Sequence, residues 1–273
     1  MNNLIAYQRL HEQLNDPNVA IIDCRFTLGK PDQGLNEYRA GHIPGALYFD
    51  LEQDLSGPKQ KHGGRHPLPS VDSLVYLFSN AGIDEDVLVV AYDDQEMAMA
   101  AHLWWLLRYL GHEKVAVLDG GLNAWKAAGL PITDKIVYRP ARRFIPKLQS
   151  QMLVEIEQVK NRSKSTALLD SRAGERYRGE RETLDPKAGH IPGALHYFYK
   201  ENLHQDGTMK SPEELKKRFA TLSQTSEVIA YCGSGVTACV NLLALYQAGR
   251  TDAKLYAGSW SDWCSYDLPI AQS

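Results

Sequence analysis

The sequence predicts an α/β protein of two tandem domains, each a mostly parallel sheet flanked by helices on both faces. Three observations carry that expectation. The first is an internal repeat: Gly41-His42-Ile43-Pro44-Gly45-Ala46-Leu47 returns word for word as Gly189-His190-Ile191-Pro192-Gly193-Ala194-Leu195. In the same order, Ile21-Ile22-Asp23-Cys24-Arg25 is matched by Leu168-Leu169-Asp170-Ser171-Arg172, and Val89-Val90-Ala91-Tyr92 by Val228-Ile229-Ala230-Tyr231. Trp125 with Leu130-Pro131-Ile132 returns as Trp263 with Leu268-Pro269-Ile270. A period of about 140 residues marks a duplicated domain and is too long for a solenoid. The second observation is that short apolar runs alternate with helical periods in each copy. The third is size: 273 residues with 44% hydrophobic content suffice for two cores.

The elements follow in chain order. In the first copy, strands are expected at 19–23, 87–91 and 115–118, with a strong helix over 98–110 ended by Gly111. Gly120-Gly121 then breaks the chain before a short helix carrying Trp125. The second copy repeats this with strands at 167–169, 228–231 and 254–256, a helix over 237–248 and a break at Gly258. Helices are also expected to start near Pro69 and at Ser211-Pro212-Glu213-Glu214, where serine, proline and acids suit the first turn. This places an N-terminal domain at 1–135 and a C-terminal domain at 152–273. Between them, 136–151 is expected to be a surface linker with Pro140, Pro146 and the basic residues Arg139, Arg142, Arg143 and Lys147.

Composition removes several function classes. With 30 basic and 33 acidic residues, no global field recruits nucleic acid or an anionic membrane, so any anion site is local. No apolar run reaches the roughly 18 residues of a membrane span, and no secretory signal is visible. Four cysteines (24, 232, 239 and 264) without such a signal are expected to be reduced thiols of a cytoplasmic protein. The histidines show no ligand spacing beside acids; His62 and His66 have a four-residue interval but stand in a Gly-rich loop, so no metal is expected.

The stretch with chemistry in it is Val228 to Thr237. An apolar strand runs into Cys232-Gly233-Ser234-Gly235-Val236-Thr237, and a helix opens immediately after. Strand, tight loop and helix aim backbone N–H groups and the positive end of a helix at one point. A thiol in that field is expected to be largely thiolate near neutral pH, which makes Cys232 the candidate nucleophile. Gly233 and Gly235 are expected to let the loop curl, and Ser234 and Thr237 to add hydroxyl donors. The repeat supplies a comparison, since Asp93 stands where Cys232 does and is followed by Asp94-Gln95-Glu96-Met97. That acidic, glycine-free loop is expected to be unable to hold an anion, leaving the N-terminal domain non-catalytic.

Two domains, each with Asp-x-Arg and Gly-His-Ile-Pro-Gly-Ala, together with Cys232-Gly233-Ser234-Gly235-Val236-Thr237-Ala238, resemble the two-domain rhodanese family of sulfurtransferases. Trp104-Trp105 and Gly258-Ser259-Trp260 are similar to that family too. The resemblance implies that Cys232 takes up sulfur as a persulfide and passes it on, with no cofactor beyond this covalent intermediate. Family members using thiosulfate carry charge in the loop (Cys-Arg-Lys-Gly-Val-Thr), whereas those using 3-mercaptopyruvate resemble the neutral loop here. The donor's charge must then be met elsewhere. Arg176 matches the family's substrate-binding arginine in Asp-x-Arg-x-x-x-Arg-Tyr and is expected to clamp a carboxylate. The family's second arginine, after Glu-Pro, is not matched cleanly, and Arg178 or Arg181 is the substitute considered. The resemblance further implies a relay role for His42 facing Ser234, against the default of a bonded turn histidine.

The smaller candidates have structural readings. Asp170 with Arg172 is expected to be an ion pair at a strand end, and Cys239 to be buried filler rather than a resolving thiol. Trp260 and Trp263 suit either the core or an apolar wall over the persulfide. The expected function is sulfur transfer from a small anionic donor, 3-mercaptopyruvate before thiosulfate, to cyanide or a thiol such as that of thioredoxin, in a monomer. A phosphatase of similar fold would need a loop ending in arginine where Thr237 stands. A sulfur carrier without turnover is opposed only by the intact Cys232.

Overall fold

The predicted apolar runs pair in parallel. A computed structural model describes residues 3–273, and within it the chain divides into two compact units. Of the described residues, the first comprises 3–57, 68–149 and 205–208, and the second 58–67, 150–204 and 209–273. Unit one contains β1 (Leu4–Ile5), α1 (Tyr7–Glu12), β2 (Val19–Asp23), α2 (Gln33–Ala40), β3 (Leu47–Tyr48) and α3 (Val71–Asn80). It continues with β4 (Leu88–Tyr92), α4 (Ala98–Tyr109), β5 (Val115–Leu118) and α5 (Gly121–Ala127). Its sheet runs β1-β5-β4-β2-β3 with every pair parallel, and β2 lies against β4 from Val19 opposite Leu88 to Asp23 opposite Tyr92.

Unit two repeats the plan. It has β6 (Leu153–Val154), α6 (Ile156–Lys160), β7 (Thr166–Asp170), α7 (Gly174–Arg178), β8 (Leu195–His196) and α8 (Pro212–Arg218). It then adds β9 (Glu227–Tyr231), α9 (Ala238–Gln247), β10 (Lys254–Tyr256) and α10 (Ser259–Trp263). The sheet order, β6-β10-β9-β7-β8, is that of unit one, strand for strand. The central strands are buried, β2 throughout and β9 from Val228 on, as parallel strands covered on both faces must be. In unit one, Val19, Ile21, Val90, Tyr92, Ala116 and Leu118 pack with Leu10, Tyr38 and Trp125 of α1, α2 and α5. The alternate residues Ala20, Ile22, Val89 and Ala91 point to the other face and are equally buried, and α4 packs on β4 and β5. In unit two, Trp260 and Trp263 belong to the core with Leu168, Ile229 and Tyr256, so they are packing residues.

Two segments depart from the expected boundaries. Most of the expected linker, up to Gln149, is integral to unit one. Its Arg139 donates to the Val19 carbonyl (2.8 Å), Arg142 bonds Asp84, and Phe144 is buried edge-on to Phe78. Of the basic cluster, Arg139 and Arg142 are therefore engaged by the carbonyls of Pro17 and Val19, the Asn18 side chain and the Asp84 carboxylate. Residues 58–67, inside the first repeat in sequence, belong to unit two, where they fasten to α10. Gly63 N–H bonds Asp262 (2.7 Å), Arg65 N–H bonds Ser261 (3.0 Å), and the His62 ring stacks on Tyr266 at 4.0 Å.

At the end of each central strand the Asp-x-Arg motif folds onto itself. Asp23 takes Arg25 bidentately and the Tyr92 hydroxyl, while Arg25 donates onward to the Gly41 carbonyl (2.8 Å). Asp170 and Arg172 repeat this, with Arg172 reaching the Gly189 carbonyl at 2.7 Å. Both pairs are buried and structural. Removing one partner strands a charge in the interior. Arg25→Ala should therefore cost about 3–5 kcal/mol, read as a lowered urea midpoint for unit one.

Candidate active site in the second unit

Cys232 leaves the end of β9 and is 2% exposed. Its N–H bonds the Ser259 hydroxyl (3.1 Å), and its carbonyl and that of Gly233 accept from Trp260 and Ser261. These bonds tie the near side of the loop to α10. On the far side, no described protein group accepts from the N–H groups of residues 233–237 before α9 begins. The loop thus offers a run of donors on the Cys232 side of a helix start. The Thr237 hydroxyl is half-buried and makes no hydrogen bond within the described residues. Val236 is buried.

The two glycines have different reasons. Gly235 takes φ +83°, and a Cβ there would also stand 2.4 Å from the Ala257 carbonyl. Gly233 has no such dihedral, contrary to expectation. A Cβ there would lie 2.9 Å from Arg65 Nη2 and 3.4 Å from Arg176 Nη1, so a larger residue would have to push the end of the Arg65 side chain aside. Two guanidinium groups press against the residue that follows the candidate nucleophile.

The corresponding loop of unit one corrects a second expectation. Asp93 is 1% exposed, and its carboxylate accepts the N–H groups of Gln95, Met97, Met99 and Ala100 at 2.8–3.1 Å. Glu96 and Met97 bear the turn at φ 54° and 64°, where glycine would be favoured. Far from being unable to hold an anion, this loop holds one, supplied by its own side chain. Burial pushes the Asp93 carboxyl up to about 6 against the four N–H donors.

His42 does not take the position expected of it. Its Nδ1 meets the Tyr38 carbonyl (2.7 Å), its Nε2 meets the Lys135 carbonyl (3.2 Å), and its ring stacks on Tyr38 at 4.0 Å. Both nitrogens are committed inside unit one, which makes it a bonded turn histidine; His190 on Tyr177 is its counterpart. The imidazole facing Ser234 is that of His66, with Nδ1 2.7 Å from the Ser234 hydroxyl and both residues buried. Only the Gly63-Gly64 loop that precedes it hinted at this in the sequence.

Among the arginines, Arg176 reaches the loop. Arg178 pairs with Glu180 (2.7 Å) and Arg181 with Glu175 (3.7 Å), both on the exposed surface, so neither serves as the second arginine. The other guanidinium that reaches the loop is that of Arg65, which sequence reasoning missed. Behind the two guanidiniums lie buried carboxylates. Arg176 Nε and Nη2 bond Glu182 at 2.8–3.0 Å, Arg176 Nη2 also bonds Asp185 at 3.1 Å, and Arg65 Nη1 bonds Asp185. Burial raises the Glu182 carboxyl, but the Leu184 N–H and Arg176 outweigh it and hold the group below its usual range. Arg172 lies 3.5 Å from Glu182, with its guanidinium 4.7 Å over the Trp260 ring.

All four cysteines are unbridged and buried. Burial, reinforced by Cys232, pushes the Cys239 thiol well up, and its sulfur donates to the Gly235 carbonyl at 3.3 Å. That suits packing rather than a resolving role.

This geometry has close parallels. The family described as rhodanese-like domain matches residues 6–128 and again 155–266. A Pseudomonas aeruginosa protein named "Probable 3-mercaptopyruvate sulfurtransferase" is 46% identical over 95% of this chain and 94% of its own length. The mitochondrial thiosulfate/3-mercaptopyruvate sulfurtransferase 1 of Arabidopsis thaliana is 34% identical over 98% of this chain and 77% of its own. Among solved structures, SseA from Escherichia coli, described with the 3-mercaptopyruvate enzymes, superposes with a TM-score of 0.83. It is 32% identical, with 96% of this chain and 100% of that one covered. With the same fold built twice and both copies matched, the chain belongs to the rhodanese family.

Proposed function

We propose that the chain is a sulfurtransferase that carries sulfane sulfur on Cys232, with 3-mercaptopyruvate as the favoured donor. One observation carries the reading: the loop before α9 leaves the N–H groups of residues 233–237 unaccepted, and in its counterpart the N–H groups of Gln95 and Met97, at the positions of Ser234 and Val236, hold the Asp93 carboxylate together with those of Met99 and Ala100. Asp93 marks where an anion rests in such a loop. With cysteine at that position, the resting anion is a thiolate and then a persulfide.

The Cys232 thiolate attacks the sulfur of 3-mercaptopyruvate, forming an S–S bond, and the proton of that thiol is the one the enolate finally takes up. The C–S bond of 3-mercaptopyruvate breaks, and its electron pair leaves as the pyruvate enolate, which takes a proton to become pyruvate. The loop N–H groups stabilise the Cys–S–S⁻ product. An acceptor then attacks the terminal sulfur: cyanide leaves as thiocyanate, a thiolate as its persulfide, and the Cys232 thiolate is restored. Arg176, with Nη1 beside Gly233, meets the donor's carboxylate. The hydroxyl of Ser234, held by His66, is the side-chain donor two residues from the nucleophile. No cofactor enters this scheme.

Thiosulfate is the second reading. Relatives are named for both donors, and two guanidiniums beside a neutral loop also suit a sulfonate, with sulfite leaving as the S–S bond breaks. The acceptor class is a small thiol, a protein thiol such as that of thioredoxin, or cyanide. Four unbridged thiols favour a reducing, cytoplasmic setting. Among the described residues no helix is long and apolar enough to cross a membrane.

Comparing kcat/KM for 3-mercaptopyruvate and thiosulfate, with cyanide as common acceptor, tests the donor; a higher value for thiosulfate would reverse the assignment. Cys232→Ser should abolish transfer and the one-sulfur mass gain on donor exposure while leaving the circular dichroism unchanged. Retained turnover would sink the mechanism. Arg176→Ala should raise the donor KM by an amount equivalent to about 2 kcal/mol; an unchanged KM would place the clamp elsewhere.

A further inference from the structure

Arg65 belongs to a segment that the repeat does not mark, yet it lies closer to Gly233 than Arg176 does. Segment 58–67 is pinned to α10 by Gly63 on Asp262, Arg65 N–H on Ser261 and His62 on Ser265. Its guanidinium uses Nη1 on Asp185, while Nη2 faces Gly233 and the buried Nε has no acceptor among the described residues. Arg176 is arranged likewise, with Nε and Nη2 on carboxylates and Nη1 toward Gly233. Exposure separates the partners. The side chains of Arg65 and Arg176 are 21% and 19% exposed, those of Asp185 and Glu182 only 2% and 3%. The carboxylates therefore sit behind the guanidiniums and grip one edge of each, leaving the other edges together over the loop.

We propose that Arg65 is the second donor-binding arginine, and that Asp185, bonded to both, is the positioning residue that holds it in register with Arg176. This rests on the sulfurtransferase reading above and identifies the chemistry the site selects. Two guanidinium edges converging beside the nucleophile form a fork for one carboxylate. Charges alternate along Asp170, Arg172, Glu182, Arg176, Asp185 and Arg65, three carboxylates against three guanidiniums. A cluster neutral before the donor arrives suits a monoanionic 2-oxo acid better than the thiosulfate dianion. An arginine inside the loop at 233 would meet Arg65 and Arg176 head on, which fits the loop's neutrality.

The test uses the full chain. Arg65→Lys keeps a cation for Asp185 but removes the fork, so the 3-mercaptopyruvate KM should rise about tenfold or more while kcat changes much less. On Cys232→Ser, where no chemistry occurs, the same substitution should weaken pyruvate binding by a similar factor. Asp185→Asn should also raise the KM, lower the preference for 3-mercaptopyruvate over thiosulfate, and combine less than additively with Arg65→Lys. An unchanged KM and pyruvate affinity in Arg65→Lys would overturn the proposal. So would a lower 3-mercaptopyruvate KM in Asp185→Asn, because the carboxylate would then be competing with the donor. If the unaltered protein transfers sulfur from neither donor, the sulfurtransferase reading itself falls; turnover with an unmoved Arg65→Lys removes only this inference.

Discussion

A carboxylate buried at the end of a central strand must find its countercharge inside the chain, and both units answer with an arginine two residues on. The pair Asp170–Arg172 closes the end of β7, takes hold of the Gly189 carbonyl in the Gly-His-Ile-Pro-Gly-Ala turn and lies over Trp260. Charges in a low-dielectric interior cannot be left half-paired, so this motif fixes the strand end, the turn and the neighbouring helix together. Unit one does the same with Asp23, Arg25 and Gly41, and there the network is purely structural. In unit two it continues. Arg172 approaches Glu182, Glu182 grips Arg176, and Asp185 joins Arg176 to Arg65. The scaffold's own ion pair is the first rung of the proposed donor site.

The loop at the end of the neighbouring strand shows how one backbone device serves two ends. A strand that runs into a helix start collects unaccepted N–H groups, and such groups need an anion or water. In unit one the chain closes the device with Asp93, at the cost of left-handed backbone at Glu96 and Met97. In unit two it places Cys232 there and leaves the donors available. The stationary anion in one copy stands at the sequence position of the proposed reactive one in the other, on loops that share left-handed backbone at Glu96 and Gly235 and differ at Met97, which is left-handed where Val236 is not. The proposed division of labour between the copies then follows from one residue.

Neutrality of the Cys232 loop and the guanidiniums beside it are one fact seen from two sides. Arg65 and Arg176 lie against Gly233, and these arginines stand in place because buried Glu182 and Asp185 hold their inner edges. Charge supplied from the flank can be matched to the donor by its buried partners, which charge carried in the loop itself cannot.

By itself, the sequence determined what depends on local pattern. Repeated words, apolar runs and Gly breaks marked the duplication and most of the principal strands and helices to within a residue or two, and the cysteine loop marked the chemistry. Very short elements such as β1 and β3 stayed illegible, since two residues have no period. Tertiary structure decided whatever depends on the direction in which a side chain points. Arg178 and Arg181 follow Arg176 closely in sequence but turn outward to Glu180 and Glu175. His42 spends both nitrogens on carbonyls, while His66 faces Ser234. Arg65, about 170 residues before Gly233 in the chain, lies against it because segment 58–67 packs on α10. The proposed nucleophile could be read locally because its field is made by its own strand, loop and helix; the residues proposed to grip its substrate could not, because long-range packing brings them there.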